Sequence, residues 1–326
     1  MPELRVSLGS LTLKNPVLVA AGTFGYGLEF VRSVRLERLG ALVTKTLTRT
    51  PREGNAPPRL VETPAGMLNT VGLQNVGLEA FLREKLPQLQ ALQVPVIVSV
   101  LGDRPEDVSV MVQQLERAEG VAAVELNLSC PNVKVQAAHV GATAQASSAN
   151  VRMGHMVAQD AEATFAVVET ARRCTRKPVI AKLSPDVTDL TPIAQAAERA
   201  GADALTIGNT FTGMSLDPAT RRSRLGTLTG GLSGPAIRPL AVYRVWYTAQ
   251  IVHIPVIGVG GIVRADDALE FFLAGATAVA VGTANFANPS APLQVLRGVE
   301  RYLRRHRIDT LEVLRGAINR TQSPNP

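Results

Sequence analysis

The sequence predicts an α/β fold, a single (β/α)8 barrel of the TIM type with elaborated loops at the C-terminal face of its strands. Three observations carry that prediction. Eight short β-branched runs bounded by Gly or Pro alternate with helical patterns along the chain. Most of these runs are nearly continuous in apolar residues, as parallel strands covered on both faces must be. No shift in composition divides the 326 residues, and barrels of this class run to about 250 residues or more as one unit. One domain, 1–326, is therefore expected.

The strands are placed at Val17–Ala21, Ala41–Thr46, Val94–Val100, Ala123–Asn127, Val179–Lys182, Ala204–Gly208, Val256–Val259 and Ala278–Gly282. Between and after them, helical spacing of apolar residues marks Leu78–Leu92, Pro105–Ala118, Ala161–Cys174, Leu190–Ala200, Arg238–Ile251, Ala265–Ala274 and Pro292–Arg305. Strand starts are separated by 24, 53, 29, 56, 25, 52 and 22 residues. The long units place their excess in loops after the second, fourth and sixth strands, on the face where barrels build their sites. These loops are Leu47–Gly77, Ser129–Asp160 and Thr210–Pro235. Within the second, Val135–Met153 is rich in Ala, Ser and Val, an apparent insertion to which the sequence assigns no structure.

Composition narrows the function classes. With 34 Lys+Arg against 27 Asp+Glu, the formal charge is +7, and 46% of residues are hydrophobic, so a well-cored globular protein is expected. Aromatic residues make up only 4%, too few for a base-stacking platform, so no nucleic-acid partner is expected. Two cysteines, Cys130 and Cys174, exclude a disulfide scaffold, a four-cysteine zinc site and an iron–sulfur cluster held by this chain alone. That usage, the lack of a signal-peptide pattern and the lack of an unbroken apolar span predict a cytoplasmic protein with no membrane association.

Several residues at the predicted strand ends can do chemistry. Gly260, Gly261, Gly282 and Thr283 follow the last two strands, where backbone N–H groups approach a phosphate most closely. Gly234 opens a helix and can add further amides. Lys45 and Lys182 end apolar strands, and two cations facing one cavity stabilise an anionic ring or a reduced cofactor. Asn69, Asn127, Asn132 and Asn209, with Thr210, offer the paired donors and acceptors that a cyclic imide edge requires. Cys130 precedes Pro131, which restricts it to an extended conformation. No histidine accompanies it in a nucleophile pattern, so it reads as a base rather than an acyl-transfer nucleophile. No metal site is expected.

Longer motifs add a resemblance. They are Lys14-Asn15-Pro16, Gly22-Thr23-Phe24-Gly25-Tyr26-Gly27, Val43-Thr44-Lys45-Thr46, Gly54 to Arg59, Gly66 to Asn75, Asn127 to Lys134, Lys182 to Thr188, Gly208-Asn209-Thr210, Thr229 to Ala236 and Gly282 to Phe286. Together they cover nearly the whole chain. The sequence resembles the class 1 dihydroorotate dehydrogenases, and among them the catalytic subunits of class 1B.

The resemblance implies one FMN in the barrel mouth, its phosphate on Gly260, Gly261, Gly282 and Thr283. Further flavin contacts are implied for Ala21, Lys45, Thr46, Ser99, Asn127, Lys182, Gly208 and Gly234. Dihydroorotate would be held by Lys45, the loop Asn69, Thr70, Val71, Gly72 and Leu73, and by Asn127, Asn209 and Thr210. Cys130 would take the C5 proton while a hydride leaves C6, giving orotate for pyrimidine synthesis. The thiol, with a reference pKa of about 8.5, makes activity rise with pH until it ionises. Class 1B also implies a homodimer joined into a heterotetramer with a subunit that carries FAD and a 2Fe-2S cluster and reduces NAD+. Class 1A chemistry with fumarate, and a flavin-binding barrel without turnover, are the alternatives. Three departures stand out: Ser99 where the family usually has Asn, Gly208 where a larger aliphatic is usual, and the longer loop after Lys134.

Overall fold

The computed structural model describes residues 2–102, 105–129 and 157–318. Eight parallel strands close a barrel in chain order: Val17–Val19, Ala41–Val43, Val96–Val100, Val121–Asn127, Val179–Leu183, Ala204–Ile207, Val256–Val259 and Ala278–Val281. Each predicted strand is present, several shorter by one to three residues at an end. The shortening falls mainly on C-terminal residues such as Ala21, Thr46 and Gly208, whose backbones leave the ladder to form the rim.

The barrel interior follows from strict alternation of side-chain size. Odd-numbered strands point Leu18, Ile97, Ile180 and Ile257 inward, and even-numbered strands point Ala41, Ala123, Ala204 and Ala278. Large residues from alternate strands thus meet across a space that four alanines leave open, the layered packing that fills such barrels. Burying each of the four large side chains contributes about 1.5–3 kcal/mol. A hairpin before the first barrel strand, Val6–Leu8 paired with Leu11–Leu13, closes the N-terminal end by inserting Leu8 and Leu13 into this layer. The sequence reading had not placed this hairpin.

Helices cover the outside. In Ala291–Arg305 the buried residues Leu293, Leu296, Val299 and Leu303 recur at helical spacing against the barrel, while Arg304 and Arg305 occupy the last turn, where cations oppose the negative helix end. Ala161–Cys174 starts at Asp160, whose side chain accepts the Ala163 N–H at 2.8 Å. Such a cap is worth about 1 kcal/mol. The predicted helix Leu78–Leu92 is present as a helical run over 78–90 with a π-helical stretch at Phe81–Lys85. No helix among the described residues is long and apolar enough to cross a membrane.

The long loops after the second and sixth strands contain regular structure. Leu60–Thr63 and Gly66–Asn69, after the second strand, pair with Gly230–Ser233 and Phe211–Gly213, after the sixth, in a four-stranded antiparallel sheet at the barrel mouth. Leu216–Asp217 and Arg222–Ser223 form a separate hairpin.

Candidate active site

One step above the apolar layer, the inward positions change character. They are Ala20, Val43, Ser99, Glu125, Lys182, Thr206, Val259 and Ala280, two residues along each strand from those below. Glu125 is 3% exposed, and its Oε2 accepts the Thr206 hydroxyl at 3.2 Å. Lys182 is 5% exposed, and its side-chain ammonium has no hydrogen-bond or ion-pair partner among the described residues. A desolvated ammonium is costly unless an anion or acceptor meets it. Lys182 is therefore built for a ligand above it.

Around the mouth a chain of side-chain hydrogen bonds joins the strand ends. Asn127 Nδ2 donates to Thr46 Oγ1 at 3.1 Å, and Thr46 Oγ1 lies 3.0 Å from Ser99 Oγ. Ser129 donates to Asn127 Oδ1 at 3.0 Å and accepts from Asn209 Nδ2, whose own Oδ1 accepts the Thr210 N–H at 2.8 Å. Strands two, three, four and six are thus tied in one network, which fixes the rotamers of Asn127 and Asn209. Lys45 is half-buried beside the first strand's loop, its Nζ 3.6 Å from where a Cβ on Gly22 would lie.

The predicted phosphate glycines form a tight cradle. Gly260 and Gly261 have φ of +138° and +70°, and a Cβ on Gly261 would lie 2.9 Å from Gly234 O and 2.7 Å from Arg238 Cβ. The Gly234 loop can approach this closely only because Gly261 carries no side chain, while a Cβ on Gly234 would lie 2.7 Å from Gly66 Cα in the sheet at the mouth. The N–H groups of Gly261, Gly282 and Thr283 have no acceptor among the described residues. Free amides beside glycines of this conformation suit a phosphate. Buried Asp267 holds the turn, accepting the N–H groups of Val263 and Arg264 at 2.9 and 2.8 Å and pairing with Arg238.

The segment Asn69 to Leu73 runs from the four-stranded sheet. Asn69 Nδ2 donates to Gly231 O at 3.2 Å. Asn55 Nδ2 and the Thr227 hydroxyl both donate to Thr70 Oγ1, at 2.8 and 2.7 Å. Gly72 and Leu73 take φ of +73° and +56°, and Asn75 Nδ2 donates to Leu73 O at 2.8 Å, so the bend is held from both sides. Leu73 packs on Leu101. Tyr26, from the first strand's loop, accepts the Val76 N–H at 3.2 Å, and burial pushes its phenol above the ordinary tyrosine range.

The structure gathers Ala21, Lys45, Thr46, Ser99, Asn127, Lys182, Asn209 and Thr210 at the C-terminal mouth and sets Gly234 against Gly261. Cys130, Asn132 and the segment Val135–Met153 lie outside the described residues. Two departures gain a physical account. Ser99 directs its hydroxyl at Thr46, and at Gly208 a Cβ would lie 3.3 Å from Pro185 Cβ, so Pro185 fills the space that a larger aliphatic would need. Sequence reasoning assigned no role to Glu125, Ser129, Arg238 or Asp267. A signal existed for Glu125, which stands two residues from both Ala123 and Asn127 and so shares their inward face.

Comparison with known proteins agrees with this geometry. A family model described as dihydroorotate dehydrogenase matches residues 3–303. A protein of Pelobacter propionicus named dihydroorotate dehydrogenase B (NAD(+)), catalytic subunit, is 48% identical over 317 residues, covering 97% of this chain and 99% of the relative. Relatives of the same name from Desulforudis audaxviator and Geobacter sulfurreducens are 50% and 47% identical, each over 97% of this chain. The chain belongs to the dihydroorotate dehydrogenase family.

Proposed function

We propose that this chain oxidises dihydroorotate to orotate for pyrimidine synthesis, as the FMN-bearing catalytic subunit of an assembly that delivers electrons to NAD+. The observation that carries the reading is Lys182, a buried cation whose ammonium has no partner among the described residues, beneath a mouth lined by Asn127, Asn209 and Lys45. Relatives named as NAD+-linked catalytic subunits support the acceptor.

The residues present fit FMN. The amides of Gly261, Gly282 and Thr283, which have no acceptor among the described residues, suit its phosphate, with Gly260 and Gly234 beside them. Ala21, Thr46, Ser99, Asn127, Gly208 and the two lysines surround the ring. When bound, FMN supplies the acceptor for the hydride that leaves C6 of the substrate. Lys45, Asn127, Asn209, Thr210 and the segment Asn69, Thr70, Val71, Gly72 and Leu73 orient the pyrimidine ring and its carboxylate. The Cys130 thiolate takes the C5 proton, and the electron pair of that C–H bond becomes the new C5–C6 double bond.

Onward electron transfer needs a second chain. With two cysteines in its whole sequence, this one cannot hold a 2Fe-2S cluster by itself. A partner subunit carrying FAD and 2Fe-2S, joined to a homodimer of this chain, completes the proposal, and the scarcity of cysteine suits a cytoplasmic setting. The test is the visible spectrum of the FMN-loaded chain before and after anaerobic addition of dihydroorotate. Bleaching of the flavin bands is expected. A flavin that stays oxidised would rule out this substrate, and a chain that takes up no FMN would overturn the cofactor site.

A further inference from the structure

The interior of the barrel holds a second ionisable group that the proposed reaction does not use. Glu125 lies on the fourth strand and Lys182 on the fifth, both inward, and both line one enclosed space with Thr206, Ile180 and Val43. The Glu125 carboxylate is anchored on one side only. Its Oε2 accepts from Thr206 on the sixth strand, while Oε1 is buried and has no partner among the described residues. A carboxylate placed inside a barrel, where neighbouring layers hold alanine, valine and isoleucine, has a large desolvation cost. A nearby cation offsets that cost, and Lys182 lines the same space. The two form no direct ion pair, yet opposite charges in a poorly screened interior interact beyond contact distance.

We propose that Glu125 is a positioning residue that acts through Lys182: its negative charge, set deep in the barrel, holds the ammonium in place and moderates the positive field at the mouth. This inference rests on the reading that FMN occupies that mouth. A reduced flavin carries more negative charge than an oxidised one, so a lysine beside it favours reduction, and an anion behind the lysine opposes it. Lys182 alone would make the flavin a good acceptor and a poor donor. With Glu125 behind it, the flavin remains able to release its electrons to a nicotinamide. Glu125 reaches past the fifth strand to Thr206, the register neighbour of Lys182, so its charge lies close enough to moderate the ammonium, and no contact ion pair neutralises it.

The test is the two-electron midpoint potential of the FMN-loaded chain, read by equilibration with a reference dye, for the parent and for three variants. Glu125→Gln keeps size and an acceptor for Thr206 but removes the charge. Its potential is expected to move positive, by at least a tenfold change in the reduced-to-oxidised equilibrium, which is about 30 mV for a two-electron couple. Glu125→Asp keeps the charge one methylene further back and is expected to move the same way by less. Ile180→Val alters packing in the same space without changing charge and is expected to leave the potential in place. No shift or a negative shift in the Glu125 variants, or an equal shift in Ile180→Val, overturns the proposal. If Glu125→Gln does not fold or hold flavin, the sign of the Glu125→Asp shift decides by the same criterion. A parent chain that binds no FMN overturns the flavin reading and this inference with it, whereas normal flavin uptake with unmoved potentials overturns this inference alone.

Discussion

Asn127 reaches past the third strand to donate to Thr46 at 3.1 Å, so the fourth and second strands are joined through side chains although their backbones never pair. Ser99, on the strand between them, lies 3.0 Å from the same Thr46 oxygen. One hydroxyl therefore sets the orientation of two residues proposed to face the flavin. Thr46→Val removes both bonds while keeping shape. A buried hydrogen bond of this kind is worth about 0.5–1.5 kcal/mol, and orphaned partners cost more, so FMN affinity should fall about tenfold or more. Fluorescence titration of the apoprotein with FMN measures it, and unchanged affinity would remove Thr46 from the site.

Gly261 gives a sharper prediction. At φ +70°, with Gly234 O 2.9 Å from its Cβ position, Gly261→Ala must both strain its backbone and push the Gly234 loop away. Strain of this type costs on the order of 1–3 kcal/mol before the clash is counted. The expected result is a folded chain that loses FMN on gel filtration. A ratio of flavin to protein absorbance equal to the parent's would show that the cradle does not hold the phosphate.

Cys130→Ala should retain bound FMN and lose turnover by about 10²–10⁴-fold, the range over which general bases act. In the parent, the rate of flavin reduction should rise with pH as the thiol ionises, toward a plateau above its reference pKa of about 8.5 or at lower pH where its surroundings favour the thiolate. Stopped-flow reduction by dihydroorotate across pH separates this step from later electron transfer. A flat profile, or normal reduction in the alanine variant, would assign the proton to another group.

Tyr26 links the same region to stability. Burial raises its pKa above the ordinary tyrosine value of about 10, the Val76 N–H that it accepts being a smaller, opposing influence. The folded state thus favours the neutral phenol. That contribution is fully present below the unfolded value and is lost as pH rises through the folded one. Tyr26→Phe should cost about 1 kcal/mol at neutral pH, from the orphaned Val76 N–H. It should also flatten the fall in stability at strongly alkaline pH. Urea denaturation at neutral and alkaline pH checks both signs, and parallel loss in parent and variant would exclude Tyr26 as the linked group.

The barrel was legible because its strands are short, apolar and β-branched, and Gly or Pro marks their ends. Runs such as Val179–Leu183 admit little else between two helices. The hairpin Val6–Leu13 was not legible, since two three-residue strands with exposed middle residues leave no periodic signal. The four-stranded sheet was hidden for another reason. Gly230–Ser233 and Phe211–Gly213 are glycine-containing and half-exposed, and their pairing with Gly66–Asn69 joins distant segments that local patterns cannot connect. In the site, residue types with unusual cost at strand ends, Lys182 and the glycines, announced themselves. Asp267 did not, because an acid in the first turn of a helix is ordinary until its buried hydrogen bonds are seen.

Asn69 and Gly231, hydrogen-bonded at 3.2 Å in the sheet over the mouth, are 162 residues apart in the chain. Closing so long a segment carries an entropic cost, which the intervening barrel strands must already have offset before these two edges meet. The roof of the site is therefore the part of the molecule whose assembly depends on everything beneath it. It should also be the first part to come apart, so amide hydrogens of Gly66–Asn69 and Gly230–Ser233 are expected to exchange sooner than those of the barrel strands. A half-made barrel has no roof to offer a substrate, and completion of the fold serves as the gate on activity.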